Sequence, residues 1–321
     1  MTATPTHALP LLLEEVEVRR VDRISPSFVR LQLGSPALAD LGVDGEWWDQ
    51  RFKLIVPHVP GGPLPRFEAA DADWYAAWLE RPVEERGVMR TYTIREVVGE
   101  GADTRIVVDI VLHEDGEMGP GAAWAAAAQV GDRAVVLAPR RGQQFGGIEF
   151  VPGTASRVLL AGDETAVPAI TAILAQLSPD ARGAAFLEVP MIGDILSVVH
   201  PEGVQIVWLP REGAPLGSRL HPAVLEHLGL GAVAEAAAAQ VADDEVDPDL
   251  WETPTYSSSG EPVLDPVVLR EADVRDGLYL WIAGESRVVT GLRRALVKDH
   301  GFDRRQVAFM GYWRQGVAMK S

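Results

Sequence analysis

Cysteine is absent from the 321-residue chain, which excludes disulfide bridges, iron–sulfur clusters, thiolate zinc sites and a cysteine nucleophile. The seven histidines show neither H-x-x-x-H nor H-E-x-x-H spacing, so a structural metal site is not expected. Basic residues are few, since 29 lysines and arginines stand against 46 acidic residues and leave a formal net charge of −17. Such a chain has no extended positive potential that could attract nucleic acid or an anionic membrane surface. An anionic ligand must therefore meet a local basic pocket.

The chain also lacks a long apolar run. Residues 11–13 pass directly into Glu14 and Glu15, and no run approaches the roughly 18 residues that a membrane-spanning helix needs. The first ten residues contain neither the basic region nor the apolar core of a signal peptide. We therefore expect a flexible tail over residues 1–14 and a cytoplasmic protein that neither inserts into a membrane nor binds nucleic acid.

Two kinds of pattern follow one another along the chain. Up to residue 152, short β-branched and aromatic runs separated by turn residues predict an antiparallel barrel or sandwich; these runs cover residues 16–21, 28–33, 52–56, 90–95, 105–112 and 134–137. After residue 153, buried apolar runs alternate with helix-like segments, which predicts a parallel sheet covered on both faces. The predicted domains are residues 15–152 and 153–321. Within the second, residues 231–264 are predicted to be an insertion, either a lid or a surface loop.

One segment between the predicted strands carries several aromatic residues. Trp74, Trp78 and Leu79 lie at helical spacing within residues 71–80. Large apolar side chains at this spacing are more often packing residues than a ligand site. We therefore predict a short helix whose aromatic side chains pack against the protein.

The sharpest local feature is the stretch from Arg90 to Arg95, which reads R-T-Y-T-I-R. On a strand, Arg90, Tyr92 and Ile94 share one face, and a cation then lies beside an aromatic ring. A flavin dinucleotide needs this combination, because its pyrophosphate binds a guanidinium and its ring stacks on a flat side chain. An exposed strand with a cation–π pair would give the same pattern.

Further motifs follow in order along the chain. The first is His113 followed by G-P-G-A-A-W-A at residues 119–125. The others are A-G-D-E-T-A-V-P-A-I at 161–170, W-I-A-G-E at 281–285 and G-Y-W-R-Q-G at 311–316. With R-T-Y-T-I-R, this set resembles the siderophore-interacting protein family, which consists of FAD-dependent ferric-siderophore reductases of the ferredoxin reductase-like superfamily. The chain departs from the family pattern at Val167, where leucine is usual, and in the inserted residues.

The resemblance implies the fold class β + α/β, with an N-terminal antiparallel β-barrel that binds FAD and a parallel-sheet α/β domain that binds NADH or NADPH. Tyr92 would stack on the flavin ring and Thr93 would lie near its N5 atom. The pyrophosphate or adenosine end would meet the glycine- and alanine-rich segment, where small residues let backbone N–H groups approach a phosphate. The implied FAD contacts are Arg90, Thr91, Tyr92, Thr93, Arg95, His113, Gly119, Ala122 and Ala123.

A second set of residues is expected on the nicotinamide side. Asp163 and Glu164 follow a buried strand but would repel a phosphate, so Thr165 is the expected polar contact, and Asp163 is also a candidate helix N-cap. Glu188 ends the next strand, where it could accept a hydrogen bond from a ribose hydroxyl or simply be solvated. The full predicted set is Asp163, Thr165, Ala166, Glu188, Gly284, Glu285 and Trp313.

The resemblance implies an iron(III) siderophore as substrate, which is often anionic. Positioned cations would have to hold it near the flavin, although each could equally be a solvated surface charge. The candidates are Lys53, Arg140, Arg141 and Arg314. No side chain is expected to act as a nucleophile or general base, because the flavin carries the chemistry. The alternatives are a flavin reductase that passes electrons to or from a protein partner, a siderophore-binding protein without redox activity, and a degenerate homologue.

Overall fold

The computed structural model describes residues 9–67, 73–112, 118–231, 250–253, 256–257 and 277–317. The chain forms two compact units that divide between Gly147 and Ile148, a few residues before the predicted boundary. None of the described helices is long and apolar enough to cross a membrane.

The first unit is built on a seven-stranded antiparallel sheet with the order β4-β3-β7-β1-β2-β6-β5. The predicted strands are present at nearly the predicted positions. Their bounds are β1 Leu11–Arg23, β2 Phe28–Gly34, β3 Arg51–Val56, β4 Val88–Thr93, β5 Glu96–Val98, β6 Arg105–Val111 and β7 Arg133–Pro139. Short 3-10 helices lie at Pro36–Asp40 and Gly101–Asp103.

The sheet curls on itself into a half-barrel, because its two edge strands are consecutive in the chain. Only Ile94 and Arg95 separate β4 from β5. The backbone N–H of Ile94 donates to the carbonyl of Gln50 beside β3 (2.8 Å), and that of Arg95 donates to the carbonyl of Val107 in β6 (2.9 Å). We call these two linking residues the seam. The seam lies within the R-T-Y-T-I-R motif, so the strand predicted over 90–95 in fact ends at Thr93.

The interior of the half-barrel holds the core of the first unit. Alternate residues of β2 point inward, as predicted, and Leu31 and Leu33 are fully buried. Helix α3, Pro120–Ala127, adds Ala122, Trp124 and Ala125 to the same core. The first unit thus joins both N-terminal sequence motifs in one hydrophobic cluster.

The outer face of β3, β4 and β7 carries a second cluster of apolar residues. Two short helices, α1 Trp74–Leu79 and α2 Val83–Arg86, lie in the segment before β4. Trp78 is fully buried among these residues, and its indole N–H donates to the carbonyl of Arg86 at 2.8 Å. The prediction that the aromatic residues of this segment serve packing is confirmed.

The second unit is a mixed sheet with the order β10-β9-β8-β13-β14-β11-β12, in which the first five strands are parallel and the last two antiparallel. The strands are β8 Arg157–Gly162, β9 Arg182–Val189, β10 Val204–Pro210, β11 Trp251–Thr253, β12 Tyr256–Ser257, β13 Leu278–Glu285 and β14 Val307–Trp313. The helices are α4 Val167–Gln176, α5 Leu220–His227 and α6 Ser286–Arg293, which continues as a π-helix over Arg294–Asp299, with 3-10 turns at Ile192–Asp194 and Arg304–Gln306.

Strand β8 is central to this sheet. Its residues from Val158 to Gly162 are all buried, which requires cover on both faces. The strand order reverses between β8 and β13, since β9 and β10 lie on one side of β8 while β13 and β14 lie on the other. In open α/β sheets, ligands bind outside the carboxyl ends of the strands at such a switch point. The residues that follow β8 and β13 therefore lie at the candidate ligand-binding edge of this sheet.

The first sheet begins earlier in the chain than predicted, and part of the predicted insertion belongs to the second sheet. The flexible tail was predicted to reach residue 14, but β1 begins at Leu11 and pairs with β7 from Pro139 onward. This prediction is wrong for residues 11–14 because Leu12 and Leu13 are buried in the sheet. Most of the predicted insertion, 231–264, lies outside the described residues. Its described part includes β11, which pairs with β14.

The packing role of Trp78 gives a first testable prediction. We expect Trp78→Ala to lower the free energy of unfolding by about 3–5 kcal/mol, because it removes a buried ring and leaves a cavity. Val83→Ala, at a side chain that is 45% exposed, should change it by less than about 0.5 kcal/mol. Urea denaturation of both variants measures the difference, and equal effects would contradict the assignment of Trp78 to the core.

Candidate cofactor-binding site

The flavin motif lies on β4 at the half-barrel seam. Tyr92 packs against the interior core, whereas Met89 belongs to the outer cluster. Because side chains alternate along a strand, Arg90 shares the inner face with Tyr92. Thr91 lies on the opposite face, and Thr93, on that face as well, is buried. The predicted pairing of a guanidinium with an aromatic ring on one face is therefore present.

A glycine on α3 brings the two N-terminal motifs together. A Cβ atom at Gly121 would collide with the Tyr92 hydroxyl and lie 3.3 Å from Cγ of Arg90. Only glycine allows this approach between strand and helix. The sequence analysis missed Gly121 as a site residue, although it lies within the G-P-G-A-A-W-A motif that pointed to this segment.

The electrostatic setting of these two side chains keeps both in their ordinary protonation states. Burial raises the pKa of Tyr92 to about 12, and the nearby Arg90 guanidinium opposes part of this rise. Burial lowers the pKa of Arg90, an effect that Tyr92 counteracts. At neutral pH Tyr92 therefore offers a phenol hydroxyl, and arginine, whose ordinary pKa is above 12, keeps its charge.

Helix α3 begins next to this pair. Gly119 is its N-cap and Pro120 its first residue, while the N–H of Ala123 already donates to the carbonyl of Gly119 at 2.9 Å. The N–H groups of Gly121 and Ala122 belong to the first turn, where a helix has no internal acceptor for them. A guanidinium, a phenol ring and a helix N-terminus together form a donor set that suits a flavin pyrophosphate. The residues present fit FAD.

The other predicted FAD contacts have different surroundings. Lys53 donates to Oγ1 of Thr91 at 2.7 Å, so this pair lies on the sheet face opposite Tyr92. Burial lowers the pKa of Arg95, although the nearby Asp109 carboxylate favours its charged form. His113 lies outside the described residues.

In the second unit, the carboxylate of Asp163 is a meeting point of three chain segments. Its Oδ1 accepts hydrogen bonds from the N–H (2.9 Å) and the hydroxyl (2.5 Å) of Thr165. Its Oδ2 accepts from the N–H of Glu285 (2.6 Å) and the indole N–H of Trp313 (2.9 Å). The side chain is 1% exposed. Asp163 thus connects the ends of β8, β13 and β14, and with them three of the sequence motifs.

Gly284 makes this connection possible. It adopts φ +145°, a conformation that side chains disfavour, and a Cβ atom there would lie 2.6 Å from the Asp163 carboxylate. Glu285 then caps α6, because its Oε2 accepts from the N–H groups of Arg287 (2.7 Å) and Val288 (3.1 Å). Its Oε1 accepts from the N–H of Gln315 at 3.2 Å. The W-I-A-G-E motif is therefore a structural connector as well as a candidate ligand edge.

The prediction that Asp163 is the N-cap of the following helix is wrong. The N-cap of α4 is Ala166, whose side chain cannot accept a hydrogen bond, and it is fully buried. The Asp163 side chain instead closes a turn with Thr165 before the helix starts. The Thr165 hydroxyl is half-buried and donates its proton to Asp163, which leaves its oxygen as an acceptor.

Glu188 also has a different role from the predicted ribose contact. Its Oε2 accepts from the N–H of Gly217 at 2.8 Å, and its Oε1 accepts from those of Arg219 (2.9 Å) and Leu220 (3.0 Å). The side chain is fully buried. The carboxylate holds the start of α5, so both its oxygens are already in use and no ribose hydroxyl can reach it.

An arginine that the sequence analysis overlooked joins this edge of the sheet. Arg211 follows β10 and forms a bidentate ion pair with Glu164, with distances of 2.6 and 2.9 Å, while Glu188 lies 3.5 Å away. Despite the arginine, burial raises the pKa of Glu164 to about 7. A single arginine directly after an apolar strand was the available signal, but its partners are distant in sequence.

Three of the four predicted substrate cations lie in the first unit, and each has polar partners there. Arg140 bonds to the carbonyl of Leu11 and to Asp40 (3.1 Å), and Arg141 donates to the carbonyl of Leu41 at 3.0 Å. Burial lowers the pKa of Lys53, and the neighbouring Arg51 adds to the effect. Arg314 belongs to the second unit, where its backbone pairs with Val317.

The buried Glu164 gives a prediction about pH dependence. The folded chain keeps this proton up to about pH 7, whereas the unfolded chain releases it near the ordinary pKa of 4.5. Between these values the folded state binds more protons, so we expect the free energy of unfolding to fall as the pH rises. Glu164→Gln should flatten this slope between pH 5 and 7.5, and the exposed-site control Glu202→Gln should not. Equal slopes in the wild type and Glu164→Gln would contradict the prediction.

Comparison with known proteins places these motifs in a family. The profile described as "Siderophore-interacting FAD-binding domain" matches residues 17–143, and the one described as "Siderophore-interacting protein" matches residues 155–316. The ferric vibriobactin reductase ViuB of Vibrio cholerae is 31% identical over 95% of this chain and 92% of its own length.

Solved structures agree with this result. The crystal structure of a siderophore utilization protein from T. fusca shares 28% identity with a TM-score of 0.64 and covers 96% of this chain and 95% of its own. A ferredoxin reductase of carbazole 1,9a-dioxygenase shares the fold at 15% identity, with a TM-score of 0.55 over 95% of this chain and 68% of its own. The predicted ferredoxin reductase-like fold is confirmed, and the chain belongs to the siderophore-interacting protein family.

Proposed function

We propose that the chain is an FAD-dependent reductase that transfers electrons from NADH or NADPH to a ferric siderophore and releases iron(II) in the cytoplasm. The observation that carries this proposal is the close packing of Arg90 and Tyr92 on Gly121 of α3, which brings a guanidinium, a phenol ring and a helix N-terminus to one place. This donor set suits a flavin dinucleotide. Membership of a family that includes a ferric-siderophore reductase supports the substrate class.

In the proposed reaction the protein holds the cofactor and the substrate in position, and the cofactor carries out the chemistry. Bound FAD supplies the conversion of a two-electron donor into single electrons for iron. Arg90 and the N–H groups of Gly121 and Ala122 would hold the diphosphate, while Tyr92 would present its ring to the flavin. Thr93, which is 6% exposed, would limit water at the flavin edge. Hard oxygen ligands bind iron(III) far better than iron(II), so reduction would loosen the complex.

For the substrate, Lys53 is the predicted cation that contacts the flavin motif, through Thr91 on the sheet face opposite Tyr92. It is half-buried and held in place by Thr91, so its position is more defined than that of the exposed Arg141. Its charge is partly desolvated, and partial desolvation strengthens attraction to an anionic chelate. The nicotinamide ring of the donor is assigned to the end of the parallel sheet, beside Thr165, Gly284 and Trp313.

The flavin assignment predicts the effect of single substitutions. We expect Arg90→Ala and Tyr92→Ala each to weaken FAD binding about fivefold or more, because each removes a charged or stacking contact worth about 1–3 kcal/mol. Arg105→Ala removes an arginine from the same sheet, where it bonds Gln32 at 3.0 Å, and should leave FAD affinity unchanged. Titration of FAD fluorescence measures all three. Equal affinities in Arg90→Ala and Arg105→Ala would contradict the assignment.

The reductase activity itself can be followed by absorption. We expect purified protein with FAD to lose its flavin bands on anaerobic addition of NADH or NADPH. The bands should return when a ferric siderophore is added, while an iron(II) chelator records the released metal. A protein that binds the ferric complex but not FAD would be a carrier. Reduction of a haem or iron–sulfur protein in place of the chelate would indicate a protein partner.

A further inference from the structure

The N–H donors at the switch point of the second unit are already bound to carboxylates of the chain itself. Four donors converge on Asp163: the N–H and hydroxyl of Thr165, the N–H of Glu285 and the indole N–H of Trp313. Among the described residues, no cation forms an ion pair with Asp163. The turn before α4, the start of α6 and the end of β14 thus surround an anion that the protein supplies.

Two further carboxylates complete this arrangement. The Glu285 carboxylate accepts hydrogen bonds from the first N–H groups of α6 and from the N–H of Gln315. The Glu164 carboxylate is paired with Arg211. Their side chains, like that of Asp163, are at most 4% exposed. Three buried carboxyl groups, of which Glu164 is compensated by Arg211, therefore lie at the place where the fold would otherwise offer two helix N-termini to a ligand.

This arrangement has a consequence for anionic ligands. In open α/β sheets a phosphate binds where N–H groups and helix dipoles face an anion at the switch point. Here a phosphate would find those donors occupied and would meet like charges. An uncharged dihydronicotinamide ring meets no such repulsion, and the negative field favours the positive charge that the ring acquires when it gives up hydride.

We propose that Asp163 is a specificity-determining residue, a built-in anion that keeps the diphosphate of a nicotinamide dinucleotide away from the switch point. The donor is then recognised there through its ring. This inference rests on the proposed function for the identity of the donor, but the anion-binding part of it can be measured without any turnover.

The direct experiment is binding of inorganic pyrophosphate to protein loaded with FAD, measured by isothermal titration calorimetry, because FAD then fills the diphosphate site proposed at Arg90 and the start of α3. Wild-type protein should show no binding in the millimolar range. Asp163→Gly should bind, since it removes the charge and leaves the four donors without their acceptor, with affinity about tenfold or more above wild type. Asp194→Gly is the matched control: its fully buried carboxylate follows the adjacent β9 and accepts from the N–H of Met191 at 3.1 Å. Absence of binding to Asp163→Gly, or equal binding to both variants, would overturn the proposal.

A kinetic experiment on wild-type protein loaded with FAD does not depend on the folding of a variant. Added pyrophosphate should leave the KM for 1-benzyl-1,4-dihydronicotinamide unchanged, because this donor can be recognised only through its ring, and competitive inhibition would overturn the proposal. If Asp163→Gly folds, its KM for NADH should fall while that for 1-benzyl-1,4-dihydronicotinamide, which has no phosphate, stays the same. A fall for both donors would also overturn it. Failure of the wild type to oxidise either donor would instead refute the proposed function and leave the binding result to decide this inference.

Discussion

The hydrogen bonds of Asp163 are the interaction on which the ligand-facing edge of the second unit depends. Parallel strands end at this edge without a common turn, so something must fix their loops relative to one another. One buried carboxylate does this for three strands, with two donors on each oxygen. Buried carboxylates are costly unless fully hydrogen-bonded, and Asp163 meets this condition. The conformation of Gly284 and the position of Trp313 follow from their contacts with this carboxylate.

The same edge shows how buried charge is distributed in an acidic protein. Glu188 holds the start of α5 and Glu285 that of α6, where a negative group complements the helix dipole. Arg211 compensates Glu164 and lies near Glu188. Carboxylates thus serve as internal connectors at several loop–helix junctions. Part of the net charge of −17 is for this reason structural and does not belong to the protein surface.

Much of the fold followed from the sequence, because it depends on local patterns. Alternation in β2 and the apolar run that follows Arg157 in β8 each indicate how a strand is buried, and the structure agrees at both places. The start of β1 was missed because a run of three leucines followed by two glutamates has no clear period. The site was harder to predict. Tyr92 and Arg90 share a face by simple alternation, but their approach to Gly121 depends on how α3 folds back. The roles of Asp163 and Glu188 depend on partners up to 150 residues away in the sequence.

The half-barrel seam has a consequence for the behaviour of the protein in solution. The edge of an antiparallel sheet exposes unpaired N–H and carbonyl groups that can recruit strands of other molecules, a common route to aggregation. Here the two edges are joined through Ile94 and Arg95, whose N–H groups bond inward to β6 and to the residue preceding β3. The segment that carries the flavin motif therefore also links the two edge strands of the sheet. Sequence change in this segment is constrained twice, once by the cofactor and once by the need to keep a strand edge away from neighbouring chains.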